Sequence, residues 1–267
     1  MRFALISDVH LGPPASHQGK LRKLTHLSEQ LVESFAARMR HELAPDLVIN
    51  LGDVLEDESS ERDRERYARF CELLAGIGKP VLHVAGNHDT INLTVNELCS
   101  MWGNTDSATY SQDHHGVHFA VLRTIEHRSE RIELPAEQIS WLRQDLAATQ
   151  LPSIVLMHHP ASEMRLEGNR WFEKRPHLCR VVERRALREV VEKSGKVLAV
   201  FNGHVHWNHL DVIAGIPYIT LQSLIENLDD DAPGRVAAAY ALCDLDDRRL
   251  VVTVYGAETQ RYQLELG

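Results

Sequence analysis

Arg2-Phe3-Ala4-Leu5-Ile6-Ser7-Asp8-Val9-His10 opens the chain and sets how the rest is read. The apolar run Phe3–Ile6 stops abruptly at Ser7-Asp8, with a histidine two residues further on. A run of that length is too short for the apolar region of a secretory leader or for a membrane span, so it reads as a buried strand. The same figure recurs along the chain. Asp46–Leu51 runs into Gly52-Asp53, and Pro80–Ala85 into Gly86-Asn87-His88-Asp89. Ser153–Met157 runs into His158-His159-Pro160, and Val197–Asn202 into Gly203-His204-Val205-His206. In α/β sheets the crevice beyond the strand C-termini is where ligands bind, so distant segments can converge there.

Helical patterns lie between these strands. Lys20–Leu43 carries Leu24, Leu27, Leu31, Phe35 and Met39 on one face. Arg62–Ile77 is closed by Gly76 and Gly78 with Pro80 beyond. Val95–Trp102, Pro135–Ala148 and Val182–Ser194 also read as helices, and Val117–Thr124 as a strand. After Asn202 the pattern changes to strands alone: Leu210–Ala214, Pro217–Leu221, Arg235–Asp244 and Leu250–Tyr255. Gly215-Ile216 and Asp246-Asp247 mark tight turns between them. No internal repeat or low-complexity linker is visible. The expectation is mixed sheets with helices packed outside, in one domain over residues 1–267.

The composition is that of an ordinary soluble globular chain, with 267 residues, 43% hydrophobic and 25% charged. The net charge of -9 argues against nonspecific nucleic-acid binding, which needs clustered Lys and Arg. It does not argue against a phosphate substrate, because bound metal ions supply local positive charge. Cys71, Cys99, Cys179 and Cys243 form no C-x-x-C pair, which suggests a reduced, cytoplasmic protein without a thiol zinc site. Histidine stands out at 16 residues, and it is both the common ligand of transition metals and the usual proton carrier near neutral pH. No G-x-S-x-G or G-x-x-x-x-G-K-[ST] appears, so a serine hydrolase or P-loop enzyme has no support.

Each strand-end motif has an ordinary reading taken alone. Asp8-x-His10 and Gly52-Asp53 are common turns, Asn87 tolerates an awkward backbone angle, and a lone His158 is usually a hydrogen-bonded structural residue. His204-x-His206 is more telling, since alternate strand residues share a face. Together the five segments hold two carboxylates, an amide and four imidazoles of the kind metals take. Two cations roughly 3.5–4 Å apart can clamp a phosphoryl group and generate hydroxide. A carboxylate can bridge both, which suits Asp53, and such nitrogen/oxygen shells suit Mn, Fe or Zn better than Ca. Glycine before Asp53, Asn87 and His204 allows close approach of backbone and metal.

D-x-H, G-D, G-N-H-[DE], H and G-H-x-H occur in this order between Asp8 and His206, about three quarters of the chain. In this the sequence resembles the calcineurin-like metallophosphoesterase superfamily. The resemblance implies a four-layer αββα sandwich of two mixed sheets with a dinuclear centre between them. It implies one divalent or trivalent ion on Asp8, His10, Asp53 and His206, and a second on Asp53, Asn87, His158 and His204. It makes His88 the non-ligand histidine that contacts the phosphoryl oxygen and protonates the leaving group, with Asp89 orienting it. His159 is then either a support behind the ligands or a packing residue before Pro160.

The layout also resembles the bacterial branch that contains glycerophosphodiesterases and cyclic-nucleotide phosphodiesterases. Gln138-x-x-Trp141-Leu142 fits that branch, whereas Arg123 stands after Leu122 where relatives often carry Asp. Substrate identity therefore does not carry over. The loop Arg165–Arg175 crowds cations and aromatics directly after His158-His159. Arg170 and Arg175 either receive a second phosphate of the substrate or belong to a solvated flap or dimer contact. Trp207 has the same two readings, and Asp229-Asp230-Asp231 reads as a solvated turn. The expected function is hydrolysis of a small phosphodiester by a metal-bound hydroxide. The alternatives are a phosphomonoester or nucleotide diphosphate substrate on the same site, or a protein-binding scaffold without catalysis. No membrane partner is expected, and a homo-oligomer is left open.

Overall fold

Alternation along the strands sets the layers of the computed structural model, which describes residues 1–103, 105–127, 130–229, 232–247 and 249–266. In chain order the first half contains β1 (Arg2–Ile6), α1 (Ser28–Arg38), β2 (Leu47–Asn50), α2 (Ser60–Ala75), β3 (Val81–His83), α3 (Val95–Trp102), β4 (Tyr110–His114) and β5 (Val117–Val121). There follow β6 (Ile125–His127), β7 (Arg131–Glu133), α4 (Ala136–Ala148), β8 (Ser153–Leu156), α5 (Arg184–Ser194) and β9 (Val197–Asn202). The tail holds β10 (His209–Ile213), β11 (Ile216–Thr220), β12 (Tyr240–Leu245), β13 (Arg249–Tyr255) and β14 (Gln260–Glu265).

Two six-stranded sheets result, in the orders β14-β13-β12-β1-β2-β3 and β10-β11-β9-β8-β5-β4, with β6-β7 as a separate ribbon. Both sheets are mixed. β1-β2-β3 and β5-β8-β9-β11 run parallel, and the outer strands pair antiparallel. Phe119, Val121, Ile154, Leu156, Ala199 and Phe201 project from the second sheet into the main core. Their sequence neighbours Ala120, Leu122, Val155, Met157 and Val200 project the other way, onto Leu142, Leu146, Leu187 and Val191 of α4 and α5. Phe3 of β1 meets Phe119 and Phe201 edge-on, each at 5.9 Å, so the sheets lie face to face. Val32, Phe35, Tyr67, Phe70, Leu98 and Trp102 of α1, α2 and α3 belong to the main core and cover the first sheet. This is the expected αββα sandwich, and it brings the C-terminal ends of β1, β2, β8 and β9 together.

Four sequence expectations change. The helix expected over Lys20–Leu43 begins only at Ser28, after a 3-10 turn at Thr25–Leu27. Arg22–Leu24 are buried outside any helix, with Leu24 donating to the Ile225 carbonyl and Arg22 accepting from Asn227 N–H. That long-range pairing overrides the helical period. The strand expected from Arg235 begins at Tyr240, because Arg235 and Ala237 bond instead to Leu228 and Glu226. The turn before β11 is centred on Ala214-Gly215, both with positive φ, one residue earlier than expected. The edge strands β4 and β14 were not foreseen; β4 (Tyr-Ser-Gln-Asp-His) is too polar to show alternation. Asp230 and Asp231 of the acidic turn lie outside the described residues. No helix among the described residues is long and apolar enough to cross a membrane.

Phe3→Ala should destabilise the fold by about 3–5 kcal/mol, because it empties the junction between the sheets. Urea unfolding reads this directly; a loss below about 1 kcal/mol would mean that the junction does not hold the sheets together.

Candidate metal centre

The loops that leave the strands are bent sharply. Asp8, His10, Asp53, His204 and His206 all have left-handed φ, between 48° and 69°. A non-glycine residue there costs ~1–3 kcal/mol and persists only where the surroundings over-determine it. Here the bends turn five polar side chains into one crevice. Glycines clear space for the carboxylates. A Cβ at residue 86 would stand 2.1 Å from Asp53 Oδ1, and one at residue 203 would stand 2.0 Å from Ser7 Oγ and 2.5 Å from Asp8 Oδ2. The close approach seen here is of side chain to backbone.

Each of four imidazoles has one nitrogen tied away from the crevice. His158 Nδ1 donates to the Leu51 carbonyl at 2.8 Å, and His204 Nε2 to the Leu178 carbonyl at 2.9 Å. His206 Nδ1 donates to Glu226 at 2.7 Å, and His10 Nδ1 lies 3.1 Å from the Leu55 carbonyl and 3.0 Å from Glu56. These ties fix the rings, and the opposite nitrogens of His158 and His206 face carboxylates. His206 Nε2 stands 3.4 Å from Asp8 Oδ1 and 3.1 Å from His10 Nε2. His158 Nε2 stands 3.2 Å from Asp53 Oδ2, off the hydrogen-bonding line.

The donor set fits two metal ions. Donor atoms of Asp8, His10 and His206 lie within 4.8 Å of one another, as do those of Asp8, Asp53 and His158 and those of His158, His159 and His204. All these residues are buried, and Asn87 Oδ1, His158 Nε2 and His159 Nε2 are buried with no hydrogen-bond partner. Orphaned acceptors and facing imidazole nitrogens are what a cation satisfies.

Residues 1–208 match the calcineurin-like phosphoesterases. The chain belongs to that family. It is similar to a probable cyclic nucleotide phosphodiesterase of Rhodococcus erythropolis, 24% identical over 213 residues, covering 79% of this chain and 67% of the relative. A probable cyclic nucleotide phosphodiesterase of Synechococcus sp. is 28% identical over 119 residues; the match spans 44% of this chain and 43% of that relative's length. Among solved structures, a dimetal phosphatase from Danio rerio superposes with a TM-score of 0.77 at 18% identity, covering 100% of this chain and 99% of that one. That likeness concerns the fold.

Charge in this phosphoesterase site is finely divided. Burial opposes ionisation of every group, yet Asp8 and Asp53 are held well below the usual carboxylate range by the histidines beside them. Against the same burial, Asp53 raises His158 to about 10, and Asp8 with Glu226 raises His206 to about 9. His10 falls to about 4 through burial and Lys23, and His204 to about 3 through burial and His158. A metal ion on His158 or His206 would have to displace the proton that these raised values favour, so its affinity would fall as pH falls.

His88 has another partner than expected. Its Nδ1 lies 2.7 Å from Asp57, and although burial and Lys23 oppose charge, Asp53 and Asp57 raise its pKa. Asp89 instead accepts from the backbone N–H groups of Asp53, Val54, Leu55 and Gly86, bracing the loop that carries Asp53. Burial and Asp53 push the Asp89 carboxyl up to about 6. His159 donates or accepts at Thr124 Oγ1, 2.6 Å away, behind His158 and His204. Gln138 holds the loop before Thr124 by bonding both the N–H and the carbonyl of Arg123.

Arg170 does not face the crevice: its guanidinium donates to the carbonyls of Asn227 and Leu228, each at 2.7 Å, and straps the flap to that segment. Trp207 is half-buried against the flap cluster Met164, Leu166, Cys179 and Val205. Arg175 is exposed on the rim of a cavity of about 270 Å³ that His88, Asn87, Lys23, Trp171 and His204 also line. Glu56, Asp57, Lys23, Thr124 and Glu226 went unnoticed in the sequence. The acidic pair Glu56-Asp57, three residues past Asp53, was a usable signal; Glu226 sits in an apolar stretch and carried none.

Asp53→Ala should abolish uptake of the pair of ions, because only a carboxylate at this point can serve both. Metal analysis of the purified variant checks this, and two ions per chain at unchanged affinity would remove Asp53 from the bridging role.

Proposed function

We propose that this chain is a dinuclear metal-dependent phosphoesterase that hydrolyses a small phosphodiester. The observation that supports it most is the set of four imidazoles, each tied by one nitrogen and gathered in buried clusters around Asp8 and Asp53. Asp8, His10, Asp53 and His206 would hold one ion, and Asp53, Asn87, His158 and His204 the other. Two such ions supply Lewis acidity to a phosphoryl oxygen and lower the pKa of water. The nitrogen- and oxygen-donor set suits Mn, Fe or Zn.

The remaining steps fall to this chain's residues. His88 lines the cavity, its Nδ1 fixed by Asp57, so Nε2 is the nitrogen free to give a proton to the departing alcohol. Against burial and Lys23, Asp53 and Asp57 raise its pKa, which favours the protonated ring that an acid requires. Lys23 places an ammonium group in the same cavity. A volume of about 270 Å³ admits a small substrate and no duplex. The printed names of the Rhodococcus and Synechococcus relatives favour a diester. A phosphomonoester or nucleotide diphosphate compound is the second reading, favoured by Arg175 and Lys23 on the cavity wall. A scaffold without catalysis would not need every donor position filled.

His88→Ala should keep both ions and lose about 10²–10⁴-fold in turnover of a diester with an alkyl leaving group. The loss should be much smaller with bis-p-nitrophenyl phosphate, whose leaving group needs little protonation. Equal losses on both substrates would contradict the proton-donor role, and a lost ion would make His88 a ligand. Wild-type turnover of p-nitrophenyl phosphate above that of the bis-ester would favour the second reading.

A further inference from the structure

The metal-facing imidazoles are not backed alike. His158 and His204 give their rear N–H groups to neutral main-chain carbonyls, those of Leu51 and Leu178. His206 gives its rear N–H to the Glu226 carboxylate at 2.7 Å, and His10 has Glu56 Oε2 at 3.0 Å beside the Leu55 carbonyl. The carboxylate-backed pair is the pair that faces Asp8, with its Nε2 atoms 3.1 Å apart. The carbonyl-backed pair lies on the Asp53 side of the crevice.

Both glutamates are held in place. Glu226 is buried and accepts from the indole N–H of Trp171 at 3.1 Å and 3.3 Å. Glu56 accepts from the Lys23 ammonium at 2.7 Å, and that ammonium lies 5.3 Å from the centre of the Trp171 ring. Trp171 in turn meets His206 edge-on at 5.2 Å and lines the cavity. A charged acceptor polarises an imidazole N–H more than a carbonyl does, so it strengthens the opposite nitrogen as a donor.

We propose that Glu56 and Glu226 are positioning residues for the Asp8-side ion alone, and that Trp171 links the flap to that ion through Glu226. The proposal rests on the dinuclear reading of the site. It ties one ion to the flap through a charged acceptor, whereas the other ion's histidines have only neutral carbonyls behind them, Leu51 at a strand end and Leu178 in the flap.

The test titrates metal-free protein with Zn²⁺ against a chromophoric chelator, with circular dichroism as the check on folding. Glu226→Gln and Glu56→Gln should each weaken one ion about 10–100-fold and leave the other within about twofold. Trp171→Phe keeps the ring and removes the N–H, and should weaken the same ion by a smaller factor. Asn87→Ala removes a ligand of the Asp53-side ion, so the Glu226→Gln loss should persist in that background. Equal weakening of both ions, no weakening, or a loss that vanishes with Asn87→Ala overturns the proposal. If Glu226→Gln does not fold, Glu56→Gln and Trp171→Phe decide by the same criteria. Wild-type protein that takes up fewer than two ions overturns the dinuclear reading itself, which separates the two failures.

Discussion

The structure depends on holding two buried carboxylates and four buried imidazoles in one crevice. Burying such groups is costly unless every charge meets a partner. The partners are of three kinds here. Backbone N–H groups serve the acids: His204 N–H bonds Asp8, and His88 N–H bonds Asp53. Carbonyls and buried glutamates serve the rear nitrogens of the histidines. The inward-facing atoms are left to one another, and a pair of cations satisfies them best. The five left-handed ligand residues show that the backbone carries strain to achieve this. The two sheets supply the rigidity that sustains it, with Phe3, Phe119 and Phe201 locking one against the other just behind the site.

What could be read from sequence followed from how local each determinant is. The strands, their polar ends and the glycines at 52, 86 and 203 are local features, and each stands where its motif placed it. Long-range pairing is not local. The segment Arg22–Leu24 has a helical period but bonds to residues beyond Gln222, so no window of sequence could reveal its non-helical form. The orienting partner of His88 shows the same limit. Asp89 is adjacent and Asp57 is not, yet the bend at Asp53 carries Asp57 to the ring and turns Asp89 onto the backbone. Glu226 lies twenty positions past His206 in sequence and was beyond any motif, because its role exists only once the tail folds back over β1.

Chemistry and specificity sit on different parts of the molecule. The strand ends hold the buried carboxylates and imidazoles, whereas the flap after Pro160 builds the cavity wall with Trp171, Phe172 and Arg175. Arg170, for which the sequence left a substrate contact and a flap role open, fastens this flap to the segment that carries Glu226. Folds of this kind host many functions, and loops of this kind choose among them. The flap is thus the element whose variation would change substrate without disturbing the ion-binding residues at the strand ends.

The central claim is that this crevice holds two ions that share Asp53. Anomalous diffraction from crystals of the protein grown with Mn²⁺ or Zn²⁺ tests it most directly. Two peaks about 3.5–4 Å apart are predicted, one among Asp8, His10 and His206, the other among Asn87, His158 and His204, with Asp53 between them. A single peak in a fully loaded crystal, or a pair of which only one touches Asp53, would contradict it.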